Sequence, residues 1–179
     1  MKTVVAILGG WALVAPSFGS LLATADMTYT QLNATTYEYA ITLHDTGTTN
    51  VGTLWYSWIP GRDFMPVTPT NIQHPANWSN LVFGGGFSDG YSIQWTTSSA
   101  ALTAGQSLPG FKFDSTATPT QIGGFSNFGP YAVNTSYVYI GGPELDPGRL
   151  FTVQLTPEPA TLALVVIGSA WAMRRRRPI

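Results

Sequence analysis

Apolar and polar positions alternate with a period of two along the middle of this chain. Tyr37, Tyr39, Ile41 and Leu43 alternate with Glu38, Ala40, Thr42 and His44, the pattern of a strand with one buried face. Met27 to Leu32 precedes it, and Asn33 to Thr36 fits a hairpin connection. After a turn-like Asp45 to Asn50, Leu54, Tyr56 and Trp58 fall on one face of a third strand, with Trp55 opposite. Tyr91, Ile93 and Trp95 alternate with Ser92 and Gln94, Leu108 to Phe113 brings Phe111 and Phe113 together, and Tyr137 to Ile140 and Phe151 to Leu155 complete the set. No helical period appears in this region. Seven or so short strands with Gly and Pro turns predict an all-β fold, an immunoglobulin-like β-sandwich. Pro60 to Gly90 is the least regular stretch. Pro60, Pro66, Pro69 and Pro75 break a ladder there, so a packed loop is expected, with Phe64 and Trp78 covering one end of the sandwich.

The two ends follow other patterns. Lys2 precedes an apolar segment from Val4 to Val14 that Pro16 ends, and Ala23-Thr24-Ala25 supplies an A-x-A cleavage pattern. This is the layout of a secretory signal peptide; Ser17-Phe18-Gly19, nearer the apolar core, competes as the cleavage point. At the other end, Thr156-Pro157-Glu158-Pro159 leads into an apolar run from Ala160 to Met173, followed by Arg174, Arg175, Arg176 and Arg177. Pro157 and Pro159 lack donors and fix φ, so no helix runs through them, and each pushes its predecessor towards extended geometry. An exposed, extended stretch results. The apolar run reaches only about 21 Å as a helix, short of the ~30 Å of a bilayer core. Snorkelling Arg side chains lengthen it, and the positive-inside bias holds them in the cytoplasm. The expected organisation is residues 1–25 signal peptide, 26–153 β-sandwich ectodomain, and 154–179 C-terminal signal with a transmembrane helix at about 160–173. A plain membrane anchor is the competing reading of this tail.

Composition agrees with export. Charged residues are 9% of the chain. Asp26 to Thr156, about 131 residues and enough for one domain, carries three basic and eight acidic residues, a net charge of −5. An acidic domain without a basic stripe argues against nucleic-acid binding. With no cysteine, disulfides, thiol catalysis and Cys-ligated metals are excluded. Nineteen Gly and 13 Pro stay below the share that marks a disordered segment.

The order, spacing and composition of the tail resemble the PEP-CTERM sorting signal of exported bacterial proteins. Three phrases of the middle region, Tyr37-Glu38-Tyr39, Thr53 to Phe64 and Ala104 to Phe111, more loosely resemble ectodomains found before that signal. The resemblance implies recognition by an exosortase, a membrane protease-transpeptidase that cuts near Pro157, Glu158 and Pro159. The Arg cluster is then the membrane-stop signal. The export machinery, a transient stay in the inner membrane and an exopolysaccharide-rich matrix are the implied partners. The implied destination is the cell envelope, the cell surface or the medium.

Chemistry-bearing motifs are sparse. His44 and His74 are the only histidines, and no hydrolase, Walker or zinc-protease motif is present. No catalytic residue, metal ligand or cofactor site is therefore assigned. Asp45, Asp63 and Asp89 lie near turns, where Asp serves local hydrogen bonding or, less simply, Ca²⁺. Asn33, Asn77 and Asn134 begin sequons that a Thr/Ser-rich chain produces by chance. Trp55, Trp78 and Trp95 either stack on sugar rings or fill the core of a small, Cys-free sandwich. The expected function is a non-enzymatic surface or matrix protein. A carbohydrate-binding or adhesive module is the alternative, and a secreted hydrolase comes third.

Overall fold

The computed structural model describes residues 19–86, 89–141 and 148–157. Twelve strands and one helical turn run in the order β1 (Ala23–Gln31), β2 (Tyr37–Asp45), β3 (Thr53–Tyr56), β4 (Trp58–Ile59), β5 (Arg62–Asp63), β6 (Thr70–Gln73), β7 (Ser79–Gly84), β8 (Tyr91–Thr96), β9 (Ser107–Ser115), α1 (Pro119–Ile122), β10 (Thr135–Tyr139), β11 (Arg149–Thr152) and β12 (Gln154–Pro157). Ten strands form two sheets of five, β12-β1-β2-β9-β6 and β11-β10-β3-β8-β7. The fold is all-β and sandwich-like, as the alternation predicts, with more strands than the seven expected.

The core is the sum of the alternating faces. From the first sheet come Ala25 and Met27 of β1, Tyr39, Ile41 and Leu43 of β2, and Phe111 and Phe113 of β9. Leu54, Tyr56, Ile93, Trp95 and Val138 face them from the second. The Tyr39 ring stacks on Phe113 at 5.2 Å, and its hydroxyl donates to the Ala117 carbonyl at 2.6 Å. Burial raises the phenol pKa of both Tyr39 and Tyr56, so both rings stay neutral. The β1–β2 hairpin closes where expected. Leu32 N–H donates to the Thr36 carbonyl, and the Asn33 carboxamide oxygen accepts from Thr35 N–H, a local bond that favours the turn.

Several expectations change. Ser57 takes φ +59°, which ends β3 and shifts the alternation by one residue. Trp58 therefore does not join Leu54 and Tyr56 in the core. It lies on the outer face of the second sheet, stacked on Trp55 at 4.2 Å and 17°, in a separate cluster with Tyr139. Pro60 and Gly61 (φ +82°) then turn β4 into β5, the Pro-Gly pairing of a type II turn. The stretch from Pro60 to Gly90 contains β5, β6 and β7 rather than one loop, because its prolines sit between strands and at an edge. Phe64 and Trp78 are buried in it. Phe151 to Leu155 is two strands. β11 pairs with β10 in one sheet and β12 with β1 in the other, and buried Val153 marks the crossover between sheets. The one-turn α1, with its Thr118–Gln121 capping box, is too short to show a helical period.

The first sheet extends beyond residues 26–153 at both ends. β1 starts at Ala23 and pairs residue by residue with β2, from Ala23↔Asp45 to Gln31↔Tyr37. Leu21, Ala23 and Ala25 belong to the core. β12 runs parallel to β1 as far as Tyr29↔Pro157. The sheet thus includes residues assigned to the signals on either side of 26–153. Small alternating Ala residues fit a cleavage pattern and a strand equally well.

Candidate functional site

A wide groove of about 1010 Å³ opens at one end of the sandwich. The turn after β8 supplies Thr97, Ser98 and Ser99, the ends of β7 and β8 supply Ser79 and Thr96, and Asn50, Asn77 and Ile140 close the other sides. None of the described side chains lining it is charged. Thr97 organises the floor. Its hydroxyl donates to the Asn77 carbonyl at 2.7 Å and accepts from Ser99 and Ala100 N–H. Asn77 holds the rim at φ +64°, a conformation Asn tolerates better than most residues. Asn50 Oδ1 accepts from Ala104 N–H. The Asn77 carboxamide and the Ser98 hydroxyl are exposed and have no hydrogen bond within the described residues. The groove therefore offers uncharged donors and acceptors on a polar floor, beside the exposed apolar Ile140.

No tryptophan forms a stacking platform here. Trp78 is only 4% exposed; its ring meets Phe111 edge-on at 5.1 Å, and its Nε1–H donates to the Ala100 carbonyl at 3.1 Å. Trp95 is buried, with Nε1–H donating to the Gln73 carbonyl, and Trp55 is covered by Trp58. Of the two readings of these aromatics, core filling is the one the packing supports. Their burial anchors the loop that shapes the groove, since Ala100 sits between Thr97 and Trp78.

Other candidate residues fall elsewhere. His44, on the outer face of the first sheet, has Nδ1 2.6 Å from Ser107 Oγ and Nε2 3.1 Å from Asp26 Oδ2. These are the residue types of a hydrolytic triad, but they lie on the open face of β1, β2 and β9. Sequence reasoning missed this trio because its members are scattered over three strands. His74 bonds only the neighbouring Pro75 carbonyl. Asp89 Oδ1 accepts from Asp63 and Gly90 N–H, and Asp45 Oδ1 accepts from Gly47 N–H, the local turn role of Asp. Burial raises the Asp45 pKa, against the lowering effect of that bond. Asn134 is buried and donates to the Val153 carbonyl at 2.8 Å. No group of three metal-ligating side chains occurs among the described residues.

Ala23 and Ala25 lie within β1, and Pro157 is the last residue of β12, where Thr156, the residue before it, is extended. Glu158, Pro159 and Arg174 to Arg177 lie outside the described residues. No helix among the described residues is long and apolar enough to cross a membrane.

No family model matches this chain, and no curated protein matches it. Among solved structures it is similar to an exo-β-N-acetylglucosaminidase of Vibrio harveyi, at 11% identity and TM-score 0.41. The match covers 75% of this chain and 18% of that one, so the chain spans about a fifth of the enzyme's length. It is also similar to a CBM3 module of Hungateiclostridium clariflavum (12% identity, TM-score 0.43, 75% of this chain and 99% of that one). A third likeness is to the carbohydrate-binding module CBM3b of a Clostridium thermocellum cellobiohydrolase (13% identity, TM-score 0.42, 74% and 96%). At this level the likenesses carry no argument about function, and the chain is described here by its fold alone, a two-sheet β-sandwich.

Proposed function

We propose that the sandwich is a non-enzymatic carbohydrate-binding or adhesive module, and that the groove around Asn77 and Ser98 receives a neutral polysaccharide. The observation that carries this reading is the groove's lining of hydroxyls and carboxamides, with no charge among the described residues. A neutral sugar chain presents hydroxyls that both donate and accept, and Ser, Thr and Asn match both roles. An anionic ligand would call for Arg or Lys, and none lines the groove among the described residues. Ser98 is exposed and makes no hydrogen bond that the fold needs. Ser98→Arg should therefore leave stability unchanged and weaken retention by an immobilised neutral glucan or chitin about tenfold, the equivalent of ~1.4 kcal/mol. Affinity electrophoresis against a panel of neutral and acidic polysaccharides measures it. Equal retention of variant and parent, or retention only by acidic polymers, contradicts the proposal.

The delivery of this module rests on the sequence. The N-terminal signal and the Pro157-Glu158-Pro159 tail support export, transient anchoring in the inner membrane and exosortase processing, ending at the envelope or matrix. The fold supports the earlier of the two cleavage points. Cleavage after Ala25 would remove Leu21, Ala23 and Ala25 from the core and unpair β1 from Asp45, His44 and Leu43. Ser20 already belongs to the fold, with its carbonyl accepting from Thr48 N–H and its N–H donating to Thr48 Oγ1. Of the two cleavage points, Ser17-Phe18-Gly19 leaves the sandwich whole. Mass spectrometry of the mature protein should find Ser20 as its first residue. A start at Asp26 would show that the strand is dispensable, and an intact Met1 would sink the export reading.

A further inference from the structure

Four strands border the two sheets, and three are guarded against pairing. β12 contains Pro157, which cannot donate to a neighbour. β6 is irregular, with Asn71 at φ +46°, a register shift between Thr70 and Gln73, and Pro69 and Pro75 on either side. β11 has four residues and begins with Arg149. Short edges, bulges, prolines and charges are the usual protection of a sheet edge. β7 has no proline, no charge and no shift of register, and departs from ordinary strand geometry only at its last residue, Gly84, with φ +104°. It reads Ser79-Asn80-Leu81-Val82-Phe83-Gly84, pairs with β8 without a shift from Ser79↔Thr96 to Gly84↔Tyr91, and exposes Leu81 (58%), Val82 (39%) and Phe83 (36%).

The hydrogen-bond phase of this edge follows from the bonds at its end. Gly85 N–H donates to the Gly90 carbonyl, so Gly85↔Gly90 is a hydrogen-bonded pair of the β7–β8 ladder. Tyr91 exchanges both its backbone bonds with Met65, so Gly84↔Tyr91 is a non-bonded pair. Alternation along an antiparallel ladder then aims the backbone of Leu81 and Phe83 at β8, and that of Asn80, Val82 and Gly84 away from the sheet. A two-fold axis through Val82 sets Val82 opposite its own copy and Asn80 opposite Gly84. All are bonded pairs, and the axis keeps each face of the sheet continuous. The same register sets Leu81 opposite Phe83 on the outer face, where Phe83 already contacts Trp55 at 4.8 Å.

We propose that β7 is a self-pairing edge, through which two copies of this chain join their second sheets into one sheet of ten strands. The occupant is a second copy. Charge agrees: the segment from Asp26 to Thr156 is acidic with a net charge of −5, yet β7 carries no charge. Two copies thus meet at this edge without a like-charge contact. Six residues bury far less than the ~800 Å² per partner of a standard interface, so the pairing is weak and builds up at high local concentration.

Amide hydrogen exchange on the purified full chain tests this, at about 10 μM and about 1 mM. The amides of Asn80, Val82 and Gly84 should slow about tenfold at the higher concentration by mass action, while those of Leu81 and Phe83 stay unchanged. Val82→Pro removes an outward N–H without breaking a bond to β8, and it should abolish the effect. Leu81→Lys, on an exposed position, should do the same if the proline variant misfolds. Exchange independent of concentration, or slowing spread evenly along β7 or confined to β11, overturns the proposal. Association through the apolar termini would leave the alternate pattern absent.

Discussion

Trp95→Ala should destabilise the sandwich by about 3–5 kcal/mol, a large share of the 5–15 kcal/mol that holds a domain folded. The indole is fully buried on β8, the strand beside the edge strand β7 of the second sheet. It meets Phe111 of the opposite sheet edge-on at 5.4 Å, so its loss opens a cavity between the layers rather than at a rim. Its Nε1–H also donates to the Gln73 carbonyl at 3.0 Å and ties β6 to β8 across the end of the barrel of side chains. Trp95→Phe separates the two effects, since it keeps most of the packing and loses the bond, and should cost about 1–3 kcal/mol. Urea unfolding with an unchanged m-value measures both. A loss below ~1 kcal/mol for Trp95→Ala would mean that the two sheets do not pack through this residue.

Gly52→Ala should cost about 2–3 kcal/mol although it adds a single methyl. Gly52 sits where the backbone enters β3, with its N–H donating to the Tyr139 carbonyl at 2.9 Å and its carbonyl accepting from Thr97 N–H at 3.0 Å. A Cβ there would overlap the backbone of Ile140, which cannot rotate aside as a side chain does. Either β10 moves away from β3 or the Thr97 bond breaks, and Thr97 organises the groove. Ligand retention should therefore fall together with stability. Gly86→Ala, with open space around it, serves as the control and should lie within ~0.5 kcal/mol of the parent. Equal melting of the two variants would contradict the close approach of β3 and β10.

The strands that were legible in the sequence are those with one wet and one dry face. β2, β8 and β9 show this in Tyr39-Ile41-Leu43, Ile93-Trp95 and Phe111-Phe113. The errors arise where a single backbone event resets the phase. One is the positive φ of Ser57, which moves Trp58 to the other face of the sheet. Another is the change of sheet at Val153, which divides an apparently continuous strand. Neither event leaves a mark in residue type, since Ser and Val are ordinary in strands. β6 and β7 were hidden for a different reason. They are edges, so their residues are mostly exposed and show no alternation of burial. The groove was not legible at all. Its residues are common Ser, Thr and Asn from separate turns, and only the fold assembles them. The aromatic residues drew attention first, yet their contribution to the site is structural, through the Trp78 anchor on Ala100.

The placement of ligand on the molecule tests the account most directly. A titration of the ¹⁵N-labelled protein with a neutral oligosaccharide, followed by amide chemical shifts, locates the contact without assuming it. Shifts should concentrate at Asn77, Ser79, Thr97, Ser98 and Ser99, and leave the His44–Ser107 face and the Leu81 to Gly84 part of β7 unperturbed. Saturable shifts confined to the outer faces of the sheets, or none with any neutral oligosaccharide at millimolar concentration, would contradict the assignment of this groove as the binding site.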